Sequence, residues 1–194
     1  MDNDFKLIID SFGSDRFKYG ESLKNYTAMR FEASAKLFFI AFTQRELIKI
    51  IKMCRELKIP FFVFGSGSKL ISSPNEFSGL VIKNRTKNIQ TKSVKGKVTK
   101  LGIGVEEALI EVESGVSVNK FVEYLQSQNL SSDQFTGLPG TIGGNLFLSE
   151  ILQNAAESIK VLDSDSEIEE ILSKDLSIKS HIILSAMFNA KIKK

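Results

Sequence analysis

A chain of 194 residues, 42% hydrophobic and 9% aromatic, is long enough for one ordinary domain or two small associated ones and supplies a real core. A net charge of +3, no apolar run of membrane-spanning length and an acidic start, MDNDFKLIID, unlike a signal peptide, favour neither nucleic acid nor a membrane as partner and lead us to expect a soluble cytoplasmic protein. A single cysteine, Cys54, excludes an internal disulfide, and with a single histidine, His181, it argues against a Cys/His zinc site.

Residues 1–24 are mixed and weakly periodic, with room for one short helix, and read as an N-terminal extension. Residues 36–42, KLFFIAF, read as a strand. Thr43 with Glu46 three residues on makes a capping box, and Leu47, Ile51 and Cys54 then fall on one helical face, flanked by Ile48 and Ile50. Pro60 closes that helical region and a strand at 61–64, FFVF, follows at once. The result is a β-α-β unit, whose strands 36–42 and 61–64 are expected as parallel neighbours with a right-handed crossover.

Beyond the stretch GSGSKL, residues 79–84, GLVIKN, read as a further strand. The lysine- and threonine-rich residues 85–107 predict an exposed hairpin. A strand at 107–113 leads through Gly115 to a helix at 118–127, with Val118, Phe121, Val122 and Leu125 on one face. The tail suggests strands at 158–163 and 181–188 around a polar connection. There is no internal repeat. A boundary at 85–92 divides two α/β-like lobes, residues 25–88 and 89–194.

Two glycine clusters remain, Gly65-Ser66-Gly67-Ser68-Lys69 and Gly137-Leu-Pro139-Gly140-Thr141-Ile-Gly143-Gly144. Neither has P-loop or Rossmann spacing, and Pro74 soon after the first argues against a helix there. What remains is a nest, in which successive backbone amides at glycines make a concave anion site with serine hydroxyls as extra donors. For either cluster alone a ligand-free turn is the simpler reading. Two such loops, each after a β-α element and each with several free amides, suit the two halves of a pyrophosphate.

Other features have plain readings. Cys54 belongs to the core, His181 to a strand end, and DSDSEIEE (163–170, preceded by Leu162) to a solvated turn lacking the glycine and spacing of an EF-hand loop. The stretch KNRTKNIQTKSVKGKVTK has no interleaved aromatics and reads as a solvated hairpin.

The segment TQRELIKIIKMCRELKIPFFVFGSGSKLISSPNEFSGLVIKN resembles the FAD-binding segment of the UDP-N-acetylenolpyruvoylglucosamine reductases (UDP-N-acetylmuramate dehydrogenases, MurB), and ESGVSVNKFVEYLQSQNLSSDQFTGLPGTIGGN resembles that family's next segment. The resemblance covers roughly residues 25–190. It implies an α+β fold of the vanillyl-alcohol-oxidase type, with an FAD-binding domain made of two small subdomains and FAD extended between them. It implies that Gly65, Ser66, Gly67, Ser68 and Lys69 cradle the FAD pyrophosphate. Gly137, Pro139, Gly140, Thr141, Gly143 and Gly144 would line the cofactor's other side, with Asn145 at the junction. It also implies NADPH-dependent reduction of a UDP-sugar enolpyruvate in peptidoglycan precursor synthesis.

The sequence departs from the family where the chemistry lies. Glu32-Ala33 stands where Gly-Gly is expected, and a buried Glu32 would be unfavourable beside a phosphate unless paired or turned outward. After Gly144 the chain reads NLFLSEILQNAAES in place of Asn-Ala-Gly-Ala-Tyr-Gly. It has no arginine after Arg85 and no tyrosine after Tyr124, so the family's catalytic Tyr-Arg pair has no counterpart. Nor does anything match the family's substrate-binding third domain with its catalytic serine and glutamate. The expectation is an FAD-binding member that is weak or inactive alone, with no catalytic residue of its own. The alternatives are a non-catalytic flavin-binding or interaction protein and a flavin subunit completed by a separate substrate-domain chain.

Overall fold

The structure, a computed structural model, describes residues 3–30, 32–70, 75–99 and 102–193. Pro74 and the tip of the lysine-rich hairpin at 100–101 lie outside them. The chain divides into two compact units, Met1–Thr86 and Lys87–Lys194.

The first unit runs α1 (Asn3–Phe12), β1 (Phe17–Ser22), β2 (Ala33–Ala41), α2 (Gln44–Glu56), β3 (Phe61–Phe64) and β4 (Asn75–Asn84). Its sheet has the order β1-β2-β4-β3. The capping box forms as expected. Thr43 Oγ1 accepts from the Glu46 amide at 3.2 Å, and the Glu46 carboxylate accepts from the amides of Thr43 and Phe42. Leu47, Ile50, Ile51 and Cys54 are buried, and burial pushes the Cys54 thiol up to about 12. The helix ends before Pro60: Lys58 takes a left-handed backbone (φ 54°) and the Ile59 amide returns to the Cys54 carbonyl at 2.8 Å.

One expectation is corrected. β2 and β3 are not neighbours, because β4 lies between them and pairs with each in parallel. Burial explains the order. β4 has three consecutive buried residues, Leu80, Val81 and Ile82, as β2 has Leu37, Phe38 and Phe39. A strand apolar on both faces takes the interior of a sheet. In β3, Phe62 is exposed and only Phe64 is buried, which suits an edge. β1 is a strand that the sequence reading missed. It pairs antiparallel with β2 from Phe17↔Phe39 to Ser22↔Ser34, and of its six residues only Phe17 is buried.

The second unit runs β5 (Ile89–Thr99), β6 (Gly102–Glu113), α3 (Val118–Ser127), α4 (Ile142–Leu148), α5 (Glu150–Ala155), β7 (Ala156–Leu162), β8 (Ile168–Ile171) and β9 (Ile182–Lys191). Its sheet is antiparallel throughout, in the order β5-β6-β9-β7-β8. α3 falls where the periodicity placed it, with Val118, Phe121, Val122 and Leu125 buried. Phe121 lies 4.9 Å from Phe188 of β9 and 5.4 Å from Phe135 between ring centroids, at the centre of this unit's core. The predicted hairpin and the strand after it are one continuous pair, β5 with β6. α4, α5 and the exposed edge strand β8 are additions to the sequence reading. Among the described residues no helix is long and apolar enough to cross a membrane.

Candidate functional site

The first glycine cluster leaves the end of β3. Gly67 is buried and has φ +69°. A Cβ there would strike the Tyr26 carbonyl oxygen and come within 3.0 Å of Thr27 Cα. The Gly67 carbonyl accepts from the Ala28 amide at 3.2 Å. Glycine is therefore required at 67 by the chain itself, because the loop packs directly on the Tyr26–Ala28 backbone. Thr27 is buried in that contact and donates from Oγ1 to the Leu23 carbonyl at 3.3 Å. Ser66 and Lys69 are exposed, and Ser66 Oγ donates to Ser68 Oγ at 3.1 Å.

Two residues that the sequence reading did not select border this loop. Lys83, near the end of β4, donates from Nζ to the Gly65 carbonyl at 3.2 Å. Its ammonium lies 4.9 Å from the Phe64 ring centroid and 5.3 Å from that of Tyr26. Burial, with the Arg85 charge as a second cause, holds Lys83 below the ordinary lysine value. The signal available in the sequence was a lysine immediately after three core residues, in GLVIKN. Tyr26 is fixed from its other end. Its hydroxyl donates to Glu21 Oε1 at 2.5 Å and accepts from Lys18 Nζ at 3.0 Å, and Lys18 pairs with Glu21 at 2.8 Å.

Glu32 is turned outward and paired in this arrangement. Its side chain is 85% exposed and pairs with Lys24 at 3.1 Å, so no unpaired buried carboxylate results.

The second cluster is built differently. Gly137 and Gly140 have φ +81° and +106°, and a Cβ on Gly137 would meet nothing within 4 Å. The chain then enters α4 with Thr141 as its cap, Oγ1 accepting from the Gly144 amide at 3.4 Å. The amides of Ile142 and Gly143 donate to the carbonyls of Val116 and Ser114 at 2.8 and 2.9 Å. The Val118 amide donates to Gly140 O at 3.0 Å. The expectation of several free amides is thus corrected for Gly143 and Gly144, whose N–H groups are used within the chain. A Cβ on Gly143 would come within 2.9 Å of Ser114 Cβ, so this glycine permits α4 to dock on the end of β6. Asn145, fully buried, donates from Nδ2 to the carbonyls of Pro139 (2.9 Å) and Thr141 (3.0 Å) and holds the bend between them.

Two further titratable side chains that the sequence singled out make local contacts. Asp163 Oδ1 accepts from the Glu167 amide at 2.7 Å and closes the turn between β7 and β8. His181 Nδ1 accepts from the Ser177 amide at 3.1 Å just before β9.

The profile of a family described as an FAD binding domain matches residues 35–149, more than half of the chain. The UDP-N-acetylenolpyruvoylglucosamine reductase of Clostridium tetani is 28% identical over 178 residues, 88% of this chain and 53% of that protein. The reductase of the same name from Streptococcus thermophilus (strain CNRZ 1066) is 26% identical over 201 residues, 96% of this chain and 62% of that protein. The chain spans about half the length of the curated relatives it matches. In the solved structures, that of the reductase (MurB) from Thermus caldophilus aligns with a TM-score of 0.62 at 18% identity, over 89% of this chain and 62% of its own. p-Cresol methylhydroxylase aligns with a TM-score of 0.59 at 14% identity, over 100% of this chain and 44% of its own. These likenesses show an α+β fold of the vanillyl-alcohol-oxidase type. The matched family segment includes both glycine clusters, and the chain belongs to the FAD binding domain family, with the UDP-N-acetylenolpyruvoylglucosamine reductases as its relatives.

Proposed function

We propose that this chain is the FAD-holding part of a reductase like its relatives, acting in NADPH-dependent reduction of UDP-N-acetylglucosamine enolpyruvate, and that it turns over weakly or not at all alone. The observation that carries the reading is the family match across 35–149, which contains both glycine clusters.

The local chemistry fits a dinucleotide. In the first loop Gly65, Ser66, Gly67, Ser68 and Lys69 bring backbone, two hydroxyls and an exposed ammonium to one short turn, a donor set suited to a diphosphate. In the second, Gly137, Pro139 and Gly144 are exposed, while Gly140, Thr141 and Gly143 shape the turn into α4, and this loop is assigned to the cofactor's other side. Asn145 acts as a positioning residue that sets the path of Pro139–Thr141. When bound, FAD supplies hydride acceptance and delivery. The protein's part is to bind and orient the cofactor.

The sequence supports the proposed weakness. No arginine occurs after Arg85 and no tyrosine after Tyr124, so this chain offers no counterpart of the relatives' catalytic pair. We place the substrate-binding groups on a separate polypeptide or further segment, and the protein in the cytoplasm with NADPH and the UDP-sugar. The same missing pair favours a second reading, a flavin-binding protein without catalysis.

The first test is an absorbance spectrum of purified protein, mixed with FAD and freed of unbound ligand. Stoichiometric flavin is expected, and a colourless protein would overturn the reading. NADPH oxidation with the enolpyruvyl substrate separates the rest. Turnover by this chain alone would contradict the proposed weakness, whereas turnover only on adding a second polypeptide supports a divided enzyme.

A further inference from the structure

The ammonium of Lys83 has unusual company for a half-buried charge. It donates to one carbonyl, Gly65 O at 3.2 Å, and faces the rings of Phe64 and Tyr26. Among the described residues no carboxylate pairs with it. Glu21, on the far side of Tyr26, is held by Lys18 and by the Tyr26 hydroxyl. The charge that does influence Lys83 is another cation, Arg85.

A lysine ammonium has three donor positions, and one carbonyl uses one of them. Two aromatic faces stabilise a cation, but they do not cancel its charge. A partly desolvated cation without a counter-ion is unfavourable, and an arriving anion relieves that penalty. The cation sits at the first residue of the glycine-serine loop, whose serine hydroxyls are neutral donors and whose exposed Lys69 brings a second positive charge. A positive group anchored to the mouth of such a loop is placed to receive negative charge there.

We infer that Lys83 is a diphosphate-binding residue, the fixed cation that neutralises the anion received by the Gly65–Lys69 loop. This rests on the FAD reading given above and names a determinant that the glycine motif does not contain. Phe64 and Tyr26 are its positioning residues: they hold the ammonium at Gly65 and keep it from swinging into solvent. The loop amides then supply shape, and Lys83 supplies charge.

The test measures FAD affinity by quenching of flavin fluorescence across a series of KCl concentrations, for wild type, Lys83→Met and Lys83→Arg. Loss of one charge-assisted contact predicts about a tenfold to hundredfold weaker Kd for Lys83→Met. The dependence of log Kd on log salt should also become shallower, while Lys83→Arg keeps most of the affinity. Thermal unfolding checks the fold, and Lys83→Gln replaces the methionine variant if that one fails to fold. Unchanged affinity and salt slope in the folded neutral variant would overturn the inference while leaving FAD binding intact. If wild type binds no FAD, the functional reading fails, and inorganic pyrophosphate decides the site by calorimetry. Pyrophosphate bound by wild type and lost in Lys83→Met supports Lys83 as the anion's partner; no binding by wild type overturns it.

Discussion

Gly67 shows how one residue serves both the fold and the site. Its φ of +69° costs an L-residue about 1–2 kcal/mol, and a side chain would also strike the Tyr26 carbonyl. Gly67→Ala should therefore lose at least that much stability in urea unfolding, before any ligand is added. Gly67→Asp should lose flavin as well, because it adds a repelling charge to the loop. A folded Gly67→Asp protein that holds FAD with unchanged affinity would show the loop assignment to be wrong. Glu111 gives a second residue-scale prediction. Burial would raise its pKa, but Lys92 (2.8 Å), Ser185 (2.7 Å) and Lys160 (3.1 Å) outweigh that and bring it to about 2. A depressed pKa stabilises the fold above the unfolded value of about 4.3, and that contribution is lost as pH falls toward about 2. In urea unfolding at a series of pH values, Glu111→Gln should flatten the decline of stability in this window. An unchanged slope would remove Glu111 from the account.

At the scale of elements, legibility followed periodicity. α2 carries a capping box and an apolar stripe, and both formed as read. Thr43→Ala should cost about 1 kcal/mol in thermal or denaturant unfolding. Glu46→Ala should cost more, because the same carboxylate also accepts from Arg16 at 2.8 Å. A double-mutant cycle with Arg16→Met isolates that contact, and zero coupling would mean that the Arg16 pair contributes nothing. α3 was legible for the same reason, with its four buried residues at spacings of three and four. β1 and β8 were not, since an edge strand with mostly exposed residues has no alternation to detect. α4 was masked by its composition. A segment beginning Ile-Gly-Gly has low helix propensity, and it is helical here because Thr141 caps it and Ser114 accepts the Gly143 amide.

For the whole molecule, binding is the discriminating property. If one FAD engages the chain, it should raise the unfolding temperature with the logarithm of free FAD once the concentration exceeds Kd. At a hundredfold excess over Kd the linkage is worth about 2.7 kcal/mol. A melting temperature independent of FAD concentration would contradict the proposed function. The separation into Met1–Thr86 and Lys87–Lys194 gives each unit its own buried cluster, one around Phe38 and Val81, the other around Phe121 and Phe188. Phe121→Ala should thus cost about 3–5 kcal/mol through the second cluster. That loss would be read as a lower midpoint in urea.

The sequence by itself determined the apolar helices, the buried strands and the positions of both glycine clusters, because side-chain periodicity and turn chemistry are local properties. The motif resemblance also singled out the family that the comparisons then matched. Only the tertiary structure decided that β4 separates β2 from β3, since strand order depends on which strand can be covered on both faces. It also decided that Glu32 faces water, that the Gly143 and Gly144 amides are used within the chain, and that Lys83 reaches Gly65. Each of these depends on where residues distant in sequence come to lie, which no local pattern encodes.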